Sequence, residues 1–207
     1  MSTFTLKEPA VRVSAKTKEA TRQKVLQVSQ ELFNSQGFRE TTSRDLAKAA
    51  GIAAGTIFNY FPTKEAIVLQ LVCDALENAE ATFNRRIRPE STLEEDLFLY
   101  VSTGLRQLQP MRTFVGPAFE THLGPACGGD ANELGDHIRT SHVEMVSCLL
   151  SKHGHDEPPT AVHLQMYWLL YTGVLAFWAK DQSRKQEDTL ALLDQSIKMF
   201  VSWYLAG

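Results

Sequence analysis

Thr42-Ser43-Arg44-Asp45-Leu46-Ala47-Lys48-Ala49-Ala50-Gly51-Ile52-Ala53-Ala54-Gly55-Thr56-Ile57-Phe58-Asn59-Tyr60-Phe61-Pro62 reads as two short helices joined by a sharp glycine turn. Thr42 and Asp45 stand at capping-box spacing, so hydroxyl and carboxylate each satisfy a free backbone donor at the start of the first helix. Leu46, Ala49 and Ala50 form its apolar side, and Gly51 supplies the positive φ that lets it stop. From Ala54 the chain is expected to be helical again, with Ile57 and Phe61 on one inward face until Pro62 ends it. Thr56, Asn59 and Tyr60 are left on the other side. A helix-turn-helix of this size suits laying its second helix in a DNA major groove.

The run from Gly51 to Ile67, through Phe58-Asn59-Tyr60-Phe61-Pro62-Thr63-Lys64-Glu65, resembles the recognition region of the TetR family of bacterial transcriptional regulators. Val25-Leu26, Leu32-Phe33, Gly37-Phe38, Thr41-Thr42 and Leu46-Ala47 fit the same family, so the resemblance covers about residues 20 to 70. It implies an all-α fold of about nine helices, a three-helix DNA-binding module followed by a larger helical domain for ligand binding and dimerisation. The expected division is an arm at 1–16, the DNA-binding domain at 17–63 and the ligand-binding domain at 64–207.

The residues expected on DNA are Thr42, Ser43, Arg44, Ala54, Gly55, Thr56, Phe58, Asn59, Tyr60 and Lys64. Arg44 can offer two donors to guanine O6 and N7, or serve as a phosphate contact. Thr56 can donate its hydroxyl to a phosphate at the helix start, and Gly55 lets the backbone approach closely. Asn59 can read adenine or bond a phosphate, Tyr60 has a phenol for phosphate, and Phe58 can only pack against sugar or a thymine methyl. By resemblance Lys64 grips a phosphate. Two positions depart from the family. Ala53 stands where a serine cap is usual, which costs about 1 kcal/mol of capping, and Ala54 stands where a longer polar residue is frequent.

Charge supports the division. Residues 1–65 hold ten basic against six acidic residues, a balance of +4, whereas residues 66–207 hold eleven against eighteen, a balance of −7. An electropositive module on an acidic body is what phosphate contact at one end requires. With 43% hydrophobic and 22% charged residues the chain is ordinary globular protein. No apolar run reaches the roughly 18 residues of a membrane span, and no signal-peptide core opens the sequence, so a cytoplasmic location is expected. Cys73, Cys127 and Cys148 suit reduced core thiols better than a disulfide framework.

The first helix is expected from about Thr17 to Gly37, with Val25, Val28, Leu32 and Phe33 inward; Lys18, Arg22 and Lys24 are a solvated face or phosphate contacts. Thr63 caps a long helix through Phe83, and Thr92 with Glu95 caps another that Pro110 breaks. A helix from about Ala131 to His153 turns Leu134, Ile138, Met145, Cys148 and Leu149 inward, after a break at Cys127-Gly128-Gly129. The last two helices, about Thr160 to Lys180 and Glu187 to Leu205, are apolar around most of their circumference. One chain can cover only part of that surface. A homodimer is therefore expected, with Leu164, Trp168, Tyr171, Leu175, Leu193, Ile197, Phe200 and Tyr204 at its interface, as a palindromic double-stranded DNA operator requires.

The resemblance also implies a cavity among the fourth to seventh helices for a small, mostly apolar effector. Phe98, Met111, Phe114, Phe119, His122, Met145 and Trp168 are candidates for its lining, or plain core. His153, His155, Asp156 and Glu157 share a loop but lack metal-ligand spacing, and no metal, cofactor or catalytic residue is assigned. The expected activity is repression relieved by an effector. Its rivals are a DNA-bound interaction protein without effector and a helical enzyme using His122 or Glu120.

Overall fold

Helix signals in the sequence become eight α-helices and three short 3-10 segments in a computed structural model, which describes residues 15–122, 133–155 and 157–206; side chains at 117, 118 and 120–122 are outside that description. Residues 1–14, which contain most of the expected arm, and Cys127 and Asp156 fall outside it too. The helices are α1 Ala15–Gln36, α2 Ser43–Ala50, α3 Lys64–Asn84, α4 Leu93–Leu108, α5 Arg112–His122, α6 Glu133–Lys152, α7 Ala161–Lys180 and α8 Glu187–Ala206.

Capping chemistry sets several of these bounds. Thr42 with Asp45 and Thr92 with Glu95 form reciprocal capping boxes at the starts of α2 and α4, and Thr63 accepts from Ala66 N at the start of α3. Thr160 caps α7 with His163 as the returning partner, an acceptor that a capping-box search for Glu or Gln passes over. Gly37 and Gly51, at φ 94° and 72°, end α1 and α2 in the left-handed region. Pro110 opens a 3-10 turn, Gln109–Met111, that redirects the chain from α4 into α5.

The core is continuous from the N-terminal module into the larger part. Val25, Leu26, Phe33, Leu46, Ile57 and Phe61 belong to the same buried cluster as Val68 and Val72 of α3 and Leu97 and Val101 of α4. Helix α3 is thus the spine between module and body, and its most extensive partner is α4. A second fastening joins α1 to α5. Phe33 meets Phe114 edge to face at 5.3 Å, Asn34 donates to Pro110 O at 3.0 Å, and Thr113 donates to Asn34 Oδ1 at 2.9 Å.

Polar ties hold the helix ends of the body. Asp96, 1% exposed, accepts from Lys152 Nζ at 2.6 Å and Ser91 Oγ at 2.6 Å, and pairs with His153 Nε2 at 2.8 Å, pinning α4 to the end of α6. Burial pushes its carboxyl up, but the bonds from Lys152, Ser91 and His153 outweigh burial and hold it below the ordinary carboxylate value. Asp181 bridges α7 to α8 by accepting from Thr189 N and Oγ1 and from Ser183 N. Arg112 donates to the carbonyls of Trp178 and Asp181, closing the end of α7.

Candidate nucleic-acid interface and effector region

The helix-turn-helix presents one continuous polar and aromatic edge. Arg44 projects exposed from the first turn of α2, beside the exposed Thr42 and half-buried Ser43. Across the Gly51 turn, Ala54, Gly55, Phe58 and Asn59 are exposed and Thr56 and Tyr60 half-buried, while Ile57 and Phe61 are buried beneath them. Phe58 leaves 54% of its surface in solvent, so its ring is available to a partner. Nothing lies within 4 Å of where a Cβ on Gly55 would sit, so a partner backbone can come close there.

Two features of this region are visible only in the folded chain. The second helix is a 3-10 segment, Ala54–Asn59, rather than an α-helix. Ala53 gives it no side-chain cap, Thr56 N bonds Ala53 O at 2.8 Å and Tyr60 N bonds Ile57 O at 3.0 Å. Gly55, Thr56, Ile57, Phe58 and Asn59 are all weak α-formers, and Pro62 leaves no room for a second turn to compensate. Lys64 is engaged within the protein. Its ammonium donates to Phe38 O and Thr41 O, each at 2.8 Å, and lies 4.6 Å from the Phe38 ring centroid. It fastens the start of α3 to the turn before α2 instead of projecting freely to a phosphate. Arg22 on α1 is similarly engaged, over the Phe61 ring and 3.7 Å from Glu19.

Among the described residues, the candidates for an effector lining fall in different parts of the body. Phe98 lines an open, charged cleft with Arg86, Arg88 and Lys198, and Met111 lines a different depression against α1. Phe114 and Phe119 are buried, Trp168 is wholly buried in the core, Met145 is half-buried, and the side chain of His122 lies outside the described residues. The residues expected at the dimer interface differ in depth. Trp168, Tyr171, Leu175, Leu193, Ile197 and Phe200 are buried within their own protomer, and Leu164 and Tyr204 are half-buried. The exposed apolar face lies on the opposite side of the same helices: Val162, Met166, Leu169 and Phe177 on α7, Leu192, Met199 and Trp203 on α8. Cys148, expected inward, is exposed.

Two clusters were invisible to sequence reasoning. His142 is buried in a cage of rings: its Nε2 shares a 3.0 Å hydrogen bond with the Tyr167 hydroxyl, Tyr171 stacks on it at 4.0 Å, and Tyr100 and Trp168 close the sides. Burial pushes the imidazole down to about 3 and the three phenols up, so all four groups are neutral near pH 7. Beside it, Cys73 and Glu77 of α3 face His137 of α6 across a cleft of about 250 Å³. The i, i+4 spacing of Cys73 and Glu77 is legible in sequence; the approach of His137, sixty residues on, is not. The loop histidines have structural roles instead, His153 on Asp96 and His155 against the Tyr204 ring.

Comparison with known proteins covers both parts. The family described as bacterial regulatory proteins, tetR family, matches residues 25–71, and that described as tetracyclin repressor-like, C-terminal domain, matches residues 97–204. The chain is 35% identical over 78 residues to the HTH-type transcriptional regulator EthR of Mycolicibacterium smegmatis, covering 38% of this chain and 35% of that protein. It is 33% identical over 95 residues to the nucleoid occlusion factor SlmA of Haemophilus ducreyi, covering 45% of each. The chain thus spans less than half the length of these curated relatives. Among solved structures, Thermus thermophilus FadR, a TetR family transcriptional repressor in complex with lauroyl-CoA, superposes with a TM-score of 0.61 at 21% identity over 87% of this chain and 93% of that one. A TetR transcriptional regulator from Rhodococcus sp. RHA1 gives 0.69 at 16% identity over 89% and 97%. At such identities the likeness is one of fold.

Proposed function

The chain belongs to the tetR family of bacterial regulatory proteins, and from that premise we propose that it is a homodimeric, cytoplasmic, sequence-specific DNA-binding repressor whose operator affinity is lowered by a small effector. The observation that carries this reading is the exposed edge of Arg44, Gly55, Phe58 and Asn59, with Thr56 half-buried between them, on a helix-turn-helix whose first helix is capped. Arg44 supplies direct readout of guanine, Asn59 reads adenine or holds a phosphate, and Phe58 covers its ring against sugar or a thymine methyl. Thr56 and Tyr60 position the module on the backbone. Its uncapped 3-10 reading segment gives it few bidentate contacts, so DNA shape carries part of the specificity.

Dimerisation is supported by the apolar face of α7 and α8. Met199 is 64% exposed and Val162 63%, in line with Met166, Leu169 and Trp203. Gly173, on the same face, has nothing within 4 Å of a built Cβ, so a second helix can approach there. A two-fold pairing would set the two reading segments for successive major grooves, about 34 Å apart. The FadR neighbour holds lauroyl-CoA, an apolar acyl chain on a strongly anionic carrier, which supports a small-molecule effector as something this fold can accommodate.

Selection of bound fragments from genomic DNA tests the reading. A palindromic site is expected, bound with steep salt dependence, and Arg44→Ala should weaken it by about 1–3 kcal/mol and relax preference at one base pair of each half-site. Retention of all fragments alike at low ionic strength, unchanged by Arg44→Ala, would refute it.

A further inference from the structure

The cleft between α3 and α6 holds a donor set that the repressor reading leaves unused. One Sγ from Cys73, one carboxylate oxygen from Glu77 and one ring nitrogen from His137 all lie within 4.8 Å of one another. Cys73 is buried, whereas Glu77 and His137 are exposed at the mouth, and Glu80 and Ser141 line the same space. The thiol donates to Glu77 Oε1 at 3.6 Å. A thiol, a carboxylate and an imidazole around one small volume are the donor types of a borderline-soft divalent cation, which displaces the thiol proton on binding.

We propose that Cys73, Glu77 and His137 form a three-ligand site for a borderline-soft divalent cation of the Zn2+ type, with its fourth position open to the cleft. The mixture of thiolate, imidazole and carboxylate selects against Mg2+ and Ca2+, which take oxygen alone. Three protein ligands with an open position make an exchangeable site rather than a permanent structural one. Binding replaces the S–H bond by an S–metal bond and releases that proton to solvent, one per ion. Tetrahedral zinc places its donors roughly 3.5 Å apart, so an ion held here ties His137 on α6 to Cys73 and Glu77 on α3. Helix α3 begins at Lys64, whose ammonium holds the turn before α2, and this gives the ion a mechanical route to the reading segment. Regulation by that route rests on the repressor reading; the ion site does not.

The test titrates the full, reduced chain with Co2+ as a spectroscopic stand-in, Zn2+ as competitor. Near-ultraviolet thiolate-to-cobalt absorption is expected to saturate at one ion per protomer, with release of one proton, and to be bleached by Zn2+. Cys73→Ser should abolish the band, His137→Gln should weaken binding by roughly tenfold or more, and Cys148→Ser should leave it intact. Absence of the band, or its survival in Cys73→Ser, overturns the site. Fragment retention with and without Zn2+ reads the second half: a change in the parent chain that disappears in His137→Gln supports coupling, and no change overturns it. A chain that shows the band yet retains no DNA in metal-free buffer supports the site while failing the repressor reading.

Discussion

Lys64 and His142 show how a single side chain takes its role from its surroundings. Lys64 sits where a phosphate contact is expected, but two carbonyls 2.8 Å away and the Phe38 ring already engage its ammonium. Lys64→Ala should therefore lower stability by roughly 1.5–3 kcal/mol, as for lost hydrogen bonds to a charged group. The slope of log affinity against log salt should stay unchanged, where loss of a phosphate contact would reduce it by about 1. Urea unfolding and salt-dependent fragment retention check the two halves. His142 makes a pH prediction. Its folded value, about 3, lies below the unfolded value near 6.5, so it contributes fully above that pH. As pH falls the unfolded chain takes up a proton the cage refuses, and stability should drop by up to about 1.4 kcal/mol per pH unit. Asp96 is also depressed, but its contribution is lost only below about pH 4. Thermal unfolding from pH 7 to 5 should thus slope in the parent chain and flatten in His142→Phe.

Among the elements, α2 and the segment after it form a controlled contrast. Both are short, yet α2 has a capping box and a left-handed glycine stop and is an α-helix, whereas Ala54–Asn59 has no side-chain cap and only weak formers after Ala54, and winds as 3-10. Ala53 already has the extended backbone of a cap, φ −66° and ψ 145°. Ala53→Ser supplies only the missing acceptor and should add about 0.5–1 kcal/mol of stability. Denaturant unfolding measures the gain, and an unchanged midpoint would show that the segment is held by Ile57 and Phe61 alone. The same logic explains α7, whose start at Thr160 is fixed by a His163 return bond.

The whole molecule distributes its apolar surface between two destinations. Tyr167, Trp168, Tyr171, Leu175, Trp178, Leu193, Ile197 and Phe200 face inward, and Val162, Met166, Leu169, Met199 and Trp203 remain outside. If that outer face joins two copies, Met199→Glu should give a folded monomer, its mass halved in sedimentation and its helical circular dichroism retained. Fragment retention should fall with it, because one module makes half the phosphate contacts. A dimer that persists in Met199→Glu and in Trp203→Glu would place the interface elsewhere.

Local chemistry determined much of this protein from sequence alone. Caps at Thr42, Thr63 and Thr92, glycine stops at Gly37 and Gly51, and the inward pairs Val25 with Val28 and Ile57 with Phe61 all depend on residues a few positions apart, so helix bounds and the exposed side of the helix-turn-helix were legible. Tertiary structure decided what depends on distant partners. An amphipathic pattern says that α7 and α8 have too much apolar surface, but not which side meets the protomer's own core; that depends on α4 and α5 packing beneath them. Lys64 acquired its carbonyls from the turn between α1 and α2, His142 its phenols from α4 and α7, and Cys73 its histidine from α6. Hydrogen bonds and donor clusters are contacts of a few ångströms, and only the folded chain brings residues so far apart in sequence within that reach.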